Sequence, residues 1–115
     1  GVLRQSGRRA EAGKLYRELS AEVRTPQGSE AAYYVIEELF ERGDLDATEK
    51  AVFDYSEREP QAYWLAKAYL LLGDVYVRKG DNFQARATYQ SVADGYSPAD
   101  DGIVDEAKER IRKLN

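Results

Sequence analysis

Cysteine, histidine and methionine are all missing from the 115 residues. Without thiols there is no disulfide, no zinc–thiolate site and no cysteine nucleophile. Without imidazole the chain lacks the commonest general base and the commonest metal ligand. Proline is scarce: Pro26, Pro60 and Pro98 each fall between helical patterns and none falls inside one. No apolar run approaches the ~18 residues of a membrane span, and no signal-peptide pattern opens the chain. A chain that begins with Gly1 and has no methionine reads as a segment of something longer.

Charge is plentiful and unevenly placed. The formal net charge is −4, yet residues 1–27 are basic, residues 28–60 are strongly acidic and residues 61–115 balance. An acidic centre argues against nucleic acid as a partner for the whole surface.

The most legible stretch is 69–98. Leu65, Tyr69, Leu72 and Tyr76 fall on one face of a 3.6-residue period, and Ala85, Tyr89 and Val92 repeat the pattern after Lys79-Gly80-Asp81. Gly80 stands where a helix C-terminus wants a left-handed residue. Asp81 can accept from a free N–H of the next helix, and Gln84 three residues on completes a capping-box pattern. So short a turn predicts two adjacent antiparallel helices. Gly73, mid-helix at a cost of about 1 kcal/mol, predicts a close crossing, with Ala85 as the small residue that meets it.

The same signals recur. Gly43-Asp44 repeats Gly80-Asp81, and Gly7 precedes a weaker copy, so the turn glycines are 36 and 37 residues apart. Residues 8–23, with Ala12, Tyr16 and Leu19, read as the second helix of a truncated hairpin, and 24–28 as a linker. Ser29 is the expected cap of a helix over 30–42, whose stripe is Ala32, Val35, Ile36 and Leu39 with Phe40 at its edge. Leu45, Thr48, Val52 and Tyr55 mark the helix 45–58, where Thr48 in place of alanine predicts looser packing. Residues 99–115 read as a last helix with the stripe Ile103, Val104, Ala107, Ile111 and Leu114, acidic at its front and basic at its rear as the helix dipole favours. Each pair exposes an apolar face that only a neighbour can cover. The expectation is an all-α protein of stacked pairs, divided 1–27, 28–62, 63–98 and 99–115, with the last helix as a cap.

Tyr69, Leu72, Gly73, Tyr76, Gly80, Asp81, Ala85, Tyr89 and Val92, with Pro98 close behind, resemble a tetratricopeptide repeat, a helix–turn–helix unit of about 34 residues. The segment from Ala10 onward looks like the C-terminal repeats of large bacterial proteins of that family, several of them associated with the cell envelope. The resemblance implies a right-handed superhelix and a non-catalytic scaffold that holds a partner protein or peptide on the concave face of its first helices. By position that face would comprise Glu30, Tyr33, Glu37, Phe40 and Glu41, then Lys67, Leu70, Asp74, Val77 and Arg78. Some members clamp a C-terminal carboxylate there; Leu70, Leu71 and Asp74 occupy the clamp positions here. Glu37, Glu41 and Asp74 predict a preference for basic or apolar-basic segments. The second reading is a structural one, with the helices packed on another domain or a second copy.

Chemistry finds little support. Glu37, Glu38 and Glu41 make an acidic helix face with no histidine to complete a metal site, and surface carboxylates are ordinary on amphipathic helices. The run 43–49 fails as a calcium loop, because Glu49 stands where glycine is needed and Tyr55 where glutamate is needed. Lys67 has no glycine-rich phosphate loop beside it. No nucleophile–base arrangement is recognisable. The expectation is no enzyme, no cofactor and no metal. Aromatic residues are abundant: Tyr16, Tyr69, Tyr76 and Tyr89 are expected in the core, and any of Tyr33, Phe40, Tyr63 and Trp64 left exposed are candidates for partner contact.

Overall fold

The computed structural model describes residues 24–96 and 101–114. These residues are helical, without strands: α1 (Pro26–Glu41), α2 (Leu45–Glu57), α3 (Ala62–Arg78), α4 (Asn82–Gly95) and α5 (Ile103–Lys113). Gly7, the expected helix over 8–23, and Pro98 lie outside the described residues.

Two bends of identical bonding join α1 to α2 and α3 to α4. At the first, Gly43 N–H donates to Phe40 O (2.9 Å) and Asp44 N–H to Leu39 O (3.1 Å). At the second, Gly80 N–H donates to Val77 O (3.0 Å) and Asp81 N–H to Tyr76 O (2.8 Å). This is the paired 5→2 and 6→1 bonding of a Schellman C-cap, and it requires a left-handed residue. Gly43 and Gly80 supply φ of 84° and 80°. Asp81 accepts from Gln84 N–H as expected (3.0 Å).

The start of α1 differs from the sequence expectation. Thr25, not Ser29, is the cap, its side chain accepting from Gly28 N–H, and Pro26 takes the first helical position where its missing N–H costs nothing. Ser29 instead lies fully buried within the first turn. Its Oγ accepts from Gln61 N–H at the head of α3 (2.9 Å), and its carbonyl accepts from the Tyr55 hydroxyl at the end of α2 (2.5 Å). One small residue thus ties three helices together.

The seam between α2 and α3 is polar and runs antiparallel. The hydroxyls of Ser56 and Tyr69 are bonded (2.9 Å), Tyr76 OH donates to Glu49 (2.6 Å), and Lys79 Nζ reaches both Asp46 (2.5 Å) and Glu49 (3.3 Å). Thr48, buried opposite its own turn, donates back to Asp44 O (2.7 Å), so its hydroxyl is satisfied. The α3–α4 pair shares the more extensive contact of the two hairpins.

Helix α3 packs against all four others, whereas among the described residues no Cα of α2 comes within 8 Å of one in α4, nor one of α1 within 8 Å of one in α5. The middle of α3 is therefore the most enclosed part of the fold. Ala66, Ala68, Leu70, Leu71, Leu72, Gly73, Val75 and Tyr76 are all buried in α3, well beyond the single stripe that its period suggests. Leu70, expected on a partner-binding face, is 2% exposed and belongs to the core. Tyr33, expected beside it, is buried too. Both sit where one first helix meets the next, and Ala107 takes the equivalent place in α5, 37 residues beyond Leu70 and fully buried.

Gly73 marks the closest crossing, but the residue that meets it is Tyr89 and not Ala85. A Cβ at Gly73 would lie 2.2 Å from Tyr89 Cε1 and 2.6 Å from Cδ1. The ring is 2% exposed, and its hydroxyl is hydrogen-bonded to Asp74, so it cannot swing aside freely. Gly73→Ala gains about 1 kcal/mol of helix propensity against about 1–3 kcal/mol of overpacking, and so close an approach puts the cost at the upper end, a net loss of about 2 kcal/mol. Urea denaturation should report that loss, with Gly95→Ala, in open space, at or slightly above the parent. Ser29→Ala should cost about 1–3 kcal/mol on the same measurement, because Gln61 N–H is left without its acceptor.

Candidate functional site

Three first-position helices, α1, α3 and α5, line a groove of about 860 Å³. Phe40 contributes from the end of α1, Asp74, Val77 and Arg78 from the last turns of α3, and Glu109, Arg110, Lys113 and Leu114 from α5, with Tyr89 at the base. Phe40, Val77 and Leu114 are separated by 37 residues each, the same step as the turn glycines Gly43 and Gly80. An apolar strip with one residue per helix results. Val77, 40% exposed, is its most open member.

The base of the groove is a closed polar cluster. Asp74 accepts from Arg110 Nε (3.1 Å) and from the Tyr89 hydroxyl, while Arg110 also faces Glu106 (3.6 Å). Arg110 therefore pins α5 to α3. Helix α5 itself is set by Gly102 at φ 90° and by Asp101, whose carboxylate accepts from Ile103 N–H (3.1 Å). Ile103 and Ala107 join the core, and Asp105 and Glu106 occupy the first turn while Arg110, Arg112 and Lys113 occupy the last, which suits the dipole.

At the C-terminal ends of α1 and α3 the guanidinium of Arg78 lies 4.0 Å from the Phe40 ring centroid and donates to Phe40 O (3.3 Å). Helix α1 has no basic residue in its last turn, so Arg78 supplies the cation that its carbonyl end favours. The other end of the face is aromatic. Trp64 lies 5.5 Å from Tyr33, 6.0 Å from Tyr34 and 5.0 Å edge-on from Tyr63, and Lys67 Nζ stands 5.8 Å and 5.9 Å from the Tyr33 and Tyr63 rings.

The expected site residues thus divide. Phe40, Asp74, Val77 and Arg78 meet in one groove; Lys67 lies along the same row against aromatic rings; Glu30 and Glu41 are exposed outside the groove lining; Tyr33 and Leu70 are core. Of the expected acidic patch, Asp74 is engaged by a cation, Glu41 is exposed and Glu37 is half-buried. Glu37 accepts from Tyr33 OH (3.2 Å), and Asp74 is held by Arg110 and Tyr89. The residues from α5, above all Arg110 and Leu114, went unforeseen. The signal for them was present: one more step of 37 residues from Val77 arrives at Leu114.

Among the described residues no group of acidic side chains is placed to hold a metal ion, and no helix is long and apolar enough to cross a membrane. No protein-family model, curated protein or solved structure matches the chain.

Four phenols stay protonated unusually far into alkali. Burial, then the Glu37 carboxylate, raises Tyr33; burial raises Tyr55; burial, then Asp74, raises Tyr89. Burial, then the bond to Glu49, pushes Tyr76 up to about 12. An unfolded phenol ionises near ~10, so between that value and the folded one the native chain binds more protons than the unfolded chain. Stability is then full below pH ~10 and falls as pH climbs toward the folded value. Thermal melts from neutral pH to pH ~11 should lose stability over that interval, and Tyr76→Phe should lessen the loss.

Proposed function

We propose that this chain is a tetratricopeptide-type helical array that acts as a non-catalytic scaffold, holding a segment of a partner protein in the groove of α1, α3 and α5. The observation that carries the reading is the apolar strip Phe40–Val77–Leu114, repeated at one 37-residue step and left open beside charged side chains. Protein-binding sites commonly combine a small apolar centre with a polar rim. The matching bends at Gly43 and Gly80, and the place of α5 beside α3, support an array in which first helices form the inner row.

A structural role is the second reading. The observation in its favour is on the other face, where Phe83 is 85% exposed and Phe53 45% exposed. Large exposed aromatics are a feature of packing surfaces.

Selection of peptides from a random display library tests the two against each other. In the scaffold reading the enriched peptides lose about tenfold or more in affinity on Val77→Asp and are indifferent to Phe83→Ser. Peptides that depend on Phe83, or a sedimenting dimer that Phe83→Ser dissolves, would favour the structural role and remove the groove.

A further inference from the structure

We propose that the groove takes an internal acidic–aliphatic segment of a partner protein, an aliphatic side chain lying on Phe40, Val77 and Leu114 and a neighbouring carboxylate side chain meeting Arg78 and Lys113. This rests on the scaffold reading above and adds the chemistry of the partner. It reverses the basic preference that the sequence suggests.

The argument is charge complementarity at one end of the groove. Asp74 and Glu106 are both engaged by Arg110, and Glu109 is paired with Arg112. Arg78 and Lys113, by contrast, form no ion pair within 4 Å among the described residues, although the Lys113 charge also favours the ionised Glu109 one turn before it. Arg78 spends one donor on Phe40 O (3.3 Å), and its guanidinium carbon lies 4.0 Å from the Phe40 ring centroid. A guanidinium has five donors, so its edge can still receive a carboxylate in a two-pronged bond. The ring and the bond to Phe40 O hold the guanidinium in place in advance, which lowers the ordering cost of binding. Asp105 lines the groove too, but at the opposite end of α5, in the first turn, where the helix dipole favours an acid. Glu41 is exposed at the end of α1, beyond the groove lining. The two groove cations without a carboxylate within 4 Å, Arg78 and Lys113, therefore lie beside Val77 and Leu114, while Asp105 and Glu106 lie toward the start of α5, which also gives the bound segment a direction.

The test uses fluorescently labelled peptides of alternating leucine and glutamate, acetylated and amidated so that no chain terminus can supply the charge. Matched peptides carry glutamine or lysine in place of glutamate. The expected result is that the glutamate peptide binds tightest, that added salt weakens it, and that Lys113→Glu and Arg78→Gln each weaken it about tenfold. Lys113 makes no hydrogen bond or close ion pair among the described residues and contributes only its charge to the last turn of α5, so Lys113→Glu keeps the test valid even if Arg78→Gln loosens the α1–α3 junction; melting curves monitor both. Backbone amide shifts at Phe40, Val77 and Leu114 locate the bound peptide. Lysine or glutamine peptides that bind there as tightly as the glutamate peptide would overturn the acidic preference and leave the groove standing. Binding that ignores both substitutions would overturn it equally. No shift at those three residues with any peptide would remove the acidic preference and the groove together.

Discussion

The close passage of α4 over Gly73 sets the geometry of this protein. Tyr89 can lie on α3 only because position 73 has no side chain, and from there its hydroxyl reaches Asp74 on the far side of the crossing. Asp74 in turn holds Arg110 of α5. A missing methyl group in one helix therefore fixes the second, and through one carboxylate it fixes the third. Interiors this dense transmit such constraints because side chains have no slack to absorb them.

Around that crossing α3 plays a part that differs from its neighbours. It packs against every other described helix and carries more buried residues than any of them, while the flanking helices keep a broader polar face. The seams that join it to α2 are made from tyrosine hydroxyls, carboxylates and one lysine. Those polar bonds fix the register of the seam, since an apolar seam could slide by a residue at small cost while a displaced hydroxyl would lose its partner. Register matters because the 37-residue step places Phe40, Val77 and Leu114 in line. A seam in the wrong register would scatter them.

Much of this was legible in the residues. The turn glycines, the helix pairs, the capping aspartate at 81 and the charge order of the last helix all follow from local rules, and local rules suffice when each signal lies within one turn of the element it governs. What escaped notice depended on tertiary neighbours. Ser29 looks like a cap because serine caps helices, but Thr25-Pro26 does that work three residues earlier, leaving Ser29 to join three helices. Leu70 and Tyr33 look like surface positions on a helical wheel, yet the next first helix covers them. Ala85 looks like the partner of Gly73 because both are small; Tyr89 takes that place because a large ring fills the space that a glycine opens. Asp74 looks like an available charge until the end of the chain folds back to neutralise it. Periodicity reports which face of a helix is apolar and says nothing of how many neighbours arrive.

The gap between α2 and α4 has a mechanical meaning. Both lean on α3, and among the described residues no Cα of one comes within 8 Å of a Cα of the other, so this side of the fold resembles an open book with α3 as its spine. Side chains at the spine resist sliding, while among the described residues no close backbone approach ties one cover to the other. Bending is then the softest deformation available, and the width of the inner trough becomes an elastic variable that a guest of the right girth can set.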